Sequence, residues 1–184
     1  MLPQRLSVHA ERALRSIAES SAQINPDFAV FRVSSIVEVY VDELLESTVA
    51  RYFGDATPFE RSVADHIDTQ MRQSWSERRK WLKSSLGVDL SGQAVEQEMQ
   101  IVIDLRNAIA HGGGRVTHLQ KKVLQKQLSL QRDFEAKLGA FCDGDRVTCT
   151  DATLRLASKI ATRYVHAIEE GIEQAKPGAN SEPD

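Results

Sequence analysis

Hydrophobic residues recur at intervals of three and four along most of this chain, which is the spacing of amphipathic helices. A first helix is predicted over about 5–24. A second begins with Asn25 as its cap and Pro26 as its first helical residue, and is predicted to run to about residue 53. This segment is rich in β-branched residues, but it is too long for a strand and keeps the helical period. We expect it at the centre of the core.

A glycine-containing break separates the second helix from a third. Thr57 and Glu60 match a capping box, in which the two side chains satisfy free backbone amides at a helix start. The pattern carries this helix to about residue 86, and Met71 and Trp75 are expected in the core rather than in a ligand site. The apolar stripe of the helix is Phe59, Val63, Ile67, Met71, Trp75 and Leu82.

Turn residues divide the rest of the chain. Gly87 is expected to end the third helix, and a short loop follows in which Ser91 is the expected cap of the next one. A fourth helix is predicted over about 93–111 and a fifth over about 118–139. The turn signal Asp-Gly-Asp indicates a small hairpin over 140–150.

The last predicted helix is capped by Thr150 and Asp151 and ends near residue 175, before a tail over 176–184 that is expected to be disordered. A length of 184 residues and a hydrophobic fraction of 41% suit one soluble domain, which we place over 1–175. The sequence therefore predicts an all-α fold, an antiparallel bundle of about five to six helices.

The formal net charge of -3 argues against a uniformly basic nucleic-acid binder, so any contact with RNA would use local patches. Two basic clusters occur. A solvated helix face is the ordinary interpretation of such clusters, and a contact with RNA is the alternative. The clusters are Arg78, Arg79 and Lys80, and, farther along, Arg115, Lys121, Lys122, Lys126, Arg132 and Lys137.

The two cysteines, Cys142 and Cys149, and the lack of an apolar leader indicate a cytoplasmic protein with reduced thiols. No apolar run is long enough to cross a bilayer. The spacing of the cysteines, with His166 far away, matches no known zinc pattern, so no metal site is predicted.

The densest chemistry lies over 104–116, which reads D-L-R-N-A-I-A-H-G-G-G-R-V. Arg106, Asn107, His111 and Arg115 are all able to act on a phosphate, and they lie where a predicted helix meets three glycines. At about 100° per residue, Arg106 falls within the apolar arc of that helix. A guanidinium there needs a carboxylate partner, an interface or a phosphate, because burying an unpaired charge is costly.

Arg106 and His111 are about 140° apart on an ideal helix. They can converge only through long side chains, through fraying at the glycines or through a second copy of the chain. Structural roles also explain these residues. A histidine in the last turn favours the helix dipole, glycines end helices, and Arg106 can be an ion-pair partner of Glu38.

The run R-N-A-I-A-H over 106–111, followed by glycines, resembles the R-x-x-x-x-H signature of the HEPN superfamily. The segment over 34–40 is similar to an earlier HEPN helix that carries an acidic residue facing the motif, here Glu38. The segment over 144–154, G-D-R-V-T-C-T-D-A-T-L, is similar to the closing element of standalone RiboL-PSP-type HEPN proteins. The likeness extends over about 30–173.

The resemblance implies a homodimer whose motif helices form one composite site that cleaves RNA without metal or cofactor. His111 would be the base or acid, since an imidazole gains and loses protons near neutral pH, and Arg106 would stabilise the phosphate. Asn107 and Glu38 would support them. Arg115, Lys121 and Lys122 are candidate RNA contacts.

An endoribonuclease in stress response, toxin-antitoxin systems or antiviral defence is the function that the resemblance implies, with an antitoxin or regulatory protein as a further partner. A noncatalytic HEPN-like dimerisation or RNA-binding module is the alternative. One position departs from the family. HEPN toxins paired with a nucleotidyltransferase antitoxin commonly have a tyrosine two positions after the motif histidine, where this chain has Gly113, so silencing by modification there is not expected.

Overall fold

The structure is a computed structural model that describes residues 6–20, 25–53, 57–116 and 124–175. Within these residues the chain forms seven helices and one two-stranded sheet, so the predicted all-α class and the predicted hairpin are confirmed. The elements are α1 (Val8–Ser20), α2 (Pro26–Tyr52), α3 (Pro58–Met71), α4 (Trp75–Leu86), α5 (Ala94–Gly112), α6 (Leu124–Leu138), β1 (Phe141–Asp143), β2 (Arg146–Thr148) and α7 (Asp151–Ala175).

Helices α2 and α7 pack together at the centre of the bundle and run in the same direction. The backbone N–H of Cys149, just before α7, donates to Asp27 at the start of α2 (3.2 Å). Farther along both helices, the Tyr40 hydroxyl donates to Glu169 (2.7 Å). The expected central position of the second helix is confirmed, because ten of its residues are buried.

Helices α1 and α5 pack against this pair and run in the opposite direction. Ser7, immediately before α1, donates to Glu169 in the last part of α7 (2.7 Å). Glu96, in the first turn of α5, accepts a hydrogen bond from Tyr164, also in the second half of α7 (3.1 Å). The start of each helix therefore meets the late part of α7, and the predicted antiparallel packing is found for both.

The predicted third helix is two helices, which corrects the expectation of one helix over about 57–86. The capping box at Thr57 and Glu60 is present, but α3 ends at Met71. Ser74 then takes an extended conformation (φ -161°, ψ 163°), and its side chain accepts the backbone N–H of Glu77 to start α4. A second helix N-cap, Ser74, therefore lies within the range predicted as one helix.

The predicted apolar stripe is corrected as well. Met71 and Leu82 are buried and Trp75 packs against the core, as expected. Phe59 is 77% exposed, and Val63 is exposed as well. Phe59, Val63 and Met71 all lie in α3. A spacing of four residues turns about 40° beyond one full turn, so Phe59 lies about 120° around the helix from Met71, away from the core.

Other boundaries differ in smaller ways. The first helix begins at Val8, because the Ser7 hydroxyl accepts the N–H of Ala10 (3.1 Å). Ser91 does not cap α5, whose N-cap is Gln93 without a side-chain hydrogen bond. Thr150 does cap α7, by accepting the N–H of Thr153 (3.3 Å).

Some predicted segments lie outside the described residues, namely the end of the first helix, the start of the fifth and the tail over 176–184. Among the residues that are described, no helix is both long and apolar enough to span a membrane.

Candidate active site on helix α5

Helix α5 carries the motif as one unbroken helix through Gly112. Its buried face is formed by Met99, Val102 and Leu105, together with Ile103 and Ala108. Arg106 borders this face with its side chain 24% exposed, as its helical phase predicts. His111 lies in the last turn and is exposed. The two motif residues therefore differ sharply in their surroundings.

Three side chains surround the Arg106 guanidinium. Its Nη2 atom lies 3.7 Å from Oε2 of Glu38, and its Nη1 atom donates to Oδ1 of Asn107 (3.2 Å). Its Cζ atom lies 5.1 Å from the centre of the Phe31 ring, a cation–π distance. Its Nε atom is buried and has no hydrogen-bond partner among the described residues. A ligand can therefore approach this arginine only through its Nη atoms.

Glu38 is shared with a second arginine, Arg78 of α4. The Oε1 atom of Glu38 lies 3.0 Å from Nη2 of Arg78, whose side chain is only 5% exposed. Arg78 also donates to both carboxylate oxygens of Asp42, at 2.7 and 2.9 Å. The expectation that Arg78 belongs to a solvated face or to an RNA contact is therefore wrong. It is an internal ion-pair residue.

Sequence reasoning missed Arg78 although a signal was present. Trp75, Arg78 and Leu82 are spaced by three and four, so on a helix that begins after Ser74 the arginine shares a face with two apolar residues. The same phase argument predicts the position of Arg106. For Arg78 the argument depends on α4 starting at Trp75, which the apolar spacing alone does not indicate.

The glycines after the motif form an ordered helix end. Gly113 takes the left-handed conformation (φ 57°, ψ 41°), and the N–H of Gly114 donates to Ala108 O (3.2 Å), as expected of a glycine-terminated helix. Gly114 O then accepts the N–H of Val147 in β2 (2.7 Å). This end of α5 is anchored to the hairpin, so fraying at the glycines does not bring His111 towards Arg106.

The basic residues near this end are only partly described. The Nη1 atom of Arg115 donates to Oδ1 of Asp145 in the hairpin turn (2.7 Å), and its side chain is 59% exposed. The segment around Arg115 forms an antiparallel bridge to Arg146. Lys121 and Lys122 lie outside the described residues.

The structure thus brings Arg106, Asn107 and Glu38 together, while His111 stands apart. No hydrogen bond or ion pair within the described residues joins the His111 imidazole to those three. Two cavities of the chain lie elsewhere, one of about 220 Å³ between α1 and α2 and one of about 480 Å³ between α5 and α6. Neither is lined by Arg106, Asn107 or His111.

Comparison of this chain with family models, with curated proteins and with solved structures found no match.

Proposed function

We propose that this chain is a HEPN-type endoribonuclease that cleaves RNA without a metal ion, at a site formed by two copies of the chain. The observation that supports this best is the contrast between the two motif residues. Arg106 is oriented by Glu38, Asn107 and Phe31 on one side of α5, whereas His111 is exposed in its last turn. The chain thus presents a positioned cation and an accessible imidazole, a pair that can catalyse phosphate transfer without a metal ion.

The intact helix is the reason for proposing two copies. Five residues of continuous helix separate the side chains by about 140° around the axis and by about 7.5 Å along it. Since fraying does not close this gap, Arg106 of one protomer would act with His111 of the partner. The association would also cover the edge of the apolar face that Arg106 borders.

The proposed reaction needs one proton carrier and one fixed cation. The imidazole of His111 accepts the proton of the ribose 2'-hydroxyl as that oxygen attacks the phosphorus. The resulting imidazolium gives the proton to the departing 5' oxygen, so the products are a 2',3'-cyclic phosphate and a 5'-hydroxyl. Arg106 stabilises the charge that develops on the phosphorane oxygens. Stress response, toxin-antitoxin systems and antiviral defence are the settings proposed for this activity.

Cleavage of RNA in EDTA by the purified protein tests the proposal. Arg106→Ala and His111→Ala should each reduce cleavage by at least about a hundredfold, the usual scale for losing a general base or a preorganised charge. Arg155→Ala, which changes an exposed arginine of α7, is the matched control and should cleave normally. Undiminished cleavage by either motif variant would contradict the mechanism.

Mixing the two inactive variants tests the composite site. A heterodimer of Arg106→Ala with His111→Ala retains one site with an intact arginine from one protomer and an intact histidine from the other. Cleavage should therefore return on mixing, to no more than about half of the wild-type rate per dimer. Light scattering on the unmixed protein should give a dimer at micromolar concentration, and a monomer would count against the shared site.

A noncatalytic HEPN-like dimerisation or RNA-binding module is the second candidate. It is favoured by the three partners that Arg106 already has within its own protomer, because a purely structural arginine would be held in the same way. This candidate predicts a dimer that cleaves no RNA. It also predicts that Arg106→Ala lowers stability and that changes to the motif face of α5 weaken partner binding.

A further inference from the structure

We infer that Arg78 is a positioning residue for Arg106 and that it acts through Glu38. The inference rests on the proposed function for its catalytic consequence, but the contact on which it depends can be tested without any activity. Arg78 lies on α4, a helix that carries none of the motif residues.

Arg78 is itself firmly held. It forms a two-pronged contact with Asp42 through Nε and Nη2, at 2.7 and 2.9 Å, and this geometry fixes the plane of a guanidinium. Its Cζ atom lies 5.6 Å from the centre of the Trp75 ring, one helical turn earlier. Its side chain is almost completely buried. These contacts make Arg78 a fixed point in the core rather than a mobile surface charge.

The fixed guanidinium holds one oxygen of Glu38. Oε1 of Glu38 is 3.0 Å from Nη2 of Arg78, within hydrogen-bond distance, whereas Oε2 is 3.7 Å from Nη2 of Arg106, beyond that distance. Charges therefore alternate along Asp42, Arg78, Glu38 and Arg106. The Glu38 carboxylate is attracted by both arginines, and its shorter contact is with Arg78.

This arrangement keeps Arg106 available. A carboxylate that faces a single guanidinium tends to form two parallel hydrogen bonds with it, which would occupy both of the arginine's outer donors. Because Arg78 holds Oε1, Glu38 attracts Arg106 by charge without forming that fork. Arg106 is thus oriented while its Nη2 atom, which forms no hydrogen bond with Glu38, can bind a phosphate. Without Arg78, Glu38 would close on Arg106 or turn towards solvent, and both changes misplace the arginine.

A double-mutant cycle tests the contact without activity. The variants are Arg78→Met, Arg106→Met and the double substitution, each compared by its midpoint of urea unfolding in the full chain. The midpoint shift of the double variant should differ from the sum of the two single shifts. This difference should disappear when Glu38→Gln is added to wild type and to each of the three variants. Additive shifts in the presence of Glu38 would overturn the inference. If Arg78→Met does not fold, Arg78→Lys replaces it in the cycle. Lysine keeps the positive charge, but its single amino group cannot reproduce the two-point contact with Asp42 and the contact with Glu38 at the same time.

Cleavage kinetics test the consequence for Arg106. Arg78→Lys should lower kcat at least about tenfold with little change in KM, since a displacement of about 1 Å in a positioned group is enough for a hundredfold loss. Arg79→Lys is the matched control, because Arg79 is the next residue of α4 but pairs with Glu96 and Gln100 of α5 instead. It should stay within about twofold of wild type in kcat, and an equal loss in both variants would overturn the positioning role. If the wild-type protein cleaves no RNA, the proposed function fails while the urea cycle still decides whether Arg78 positions Arg106.

Discussion

The Nη2 atom of Arg106 lies 3.7 Å from Oε2 of Glu38, which is near enough for charge attraction and too far for a hydrogen bond. The arginine is oriented by this attraction together with the Phe31 ring and the Asn107 side chain. Each of these contacts is weak on its own. A phosphate that offered direct hydrogen bonds would therefore bind Arg106 without first breaking a strong ion pair.

Removing the charge of Glu38 should destabilise the protein. Glu38→Gln leaves the buried Arg78 with one carboxylate instead of two and leaves Arg106 without its counter-ion. We expect a loss of about 1–2 kcal/mol in the free energy of unfolding, between the values typical of exposed ion pairs and of buried charged hydrogen bonds. Glu46→Gln removes a more exposed carboxylate of the same helix and should cost at most about 0.5 kcal/mol. Urea unfolding measures both, and equal losses would show that Glu38 has no special role.

The central helices could be predicted because their signals are local and repeated. The caps at Asn25, Thr57 and Thr150 are short side-chain contacts within a few residues, and α2 and α7 keep one apolar period over their whole length. The phase of α5 alone placed Arg106 at the border of the buried face. These features depend only on neighbouring residues of one helix.

The break between α3 and α4 could not be predicted from period alone. Met71 and Trp75 both contact the core at a spacing of four, which also fits an unbroken helix. The decisive signal was Ser74 followed by Glu77, a capping pattern hidden inside an apolar stripe. The partnership of Arg78 with Asp42 and Glu38 depends on how α4 packs against α2, and no property of one segment specifies that contact.

Tyr40 should contribute to stability through its hydroxyl. It donates to the buried Glu169 carboxylate at 2.7 Å, and burial, assisted by that carboxylate, raises the pKa of Tyr40 so that it remains a donor. Within the part of the chain that the structure describes, Tyr40→Phe leaves Glu169 with the two hydrogen bonds from Ser7. We expect a loss of about 1.5–3 kcal/mol in the free energy of unfolding.

Tyr52→Phe is the matched control for Tyr40→Phe, because the Tyr52 side chain is exposed at the end of α2. It should change the free energy of unfolding by less than about 0.5 kcal/mol. Denaturant unfolding at neutral pH compares the two variants. A cost for Tyr40→Phe no larger than that of the control would mean that the buried hydrogen bond contributes nothing.

Glu96 should make the protein less stable as pH rises. Burial raises the pKa of Glu96 above its ordinary value of 4.5, although Arg79 and Tyr164 act to lower it. A carboxyl group with a raised folded pKa binds more protons in the folded state, so stability falls as pH rises from the ordinary value through the raised one. Glu96→Gln removes this dependence. The stability of wild type relative to this variant should therefore decrease as pH rises above the ordinary value of 4.5.

Glu60 provides a control of opposite sign for the pH experiment. The backbone N–H and hydroxyl of Thr57 lower the pKa of Glu60 below 4.5. Its contribution to stability is therefore present above that value and lost as pH falls through the lowered pKa. Relative to Glu60→Gln, wild type should lose stability on acidification. Urea unfolding across the pH range compares wild type with Glu96→Gln and with Glu60→Gln. If the relative stability changed in the same direction with pH in both comparisons, the direction of the pKa shift would be wrong for one of the two residues.

Gly113 should be required for the end of α5. Its φ of 57° lies in the left-handed region, where a side chain other than that of glycine or asparagine is strained. A Cβ atom would contact nothing within 4 Å, so the strain would come from the backbone alone. We expect Gly113→Ala to cost about 1–2 kcal/mol in unfolding free energy and Gly113→Asn to cost less. Equal costs for the two variants would indicate that the residue is not left-handed in solution.

Arg115 offers a test of RNA binding that does not depend on cleavage. In the His111→Ala background, RNA should bind without being cut. Adding Arg115→Ala should weaken this binding. It should also make the slope of log K against the logarithm of the salt concentration less steep, by about 0.7 for each phosphate that is no longer neutralised. Because the Arg115 guanidinium is paired with Asp145, Asp145→Asn should release it and strengthen binding. Arg155→Ala changes an equally charged, exposed residue of α7 and controls for net charge. Binding unchanged by Arg115→Ala, or weakened by Asp145→Asn, would place the RNA elsewhere on the surface.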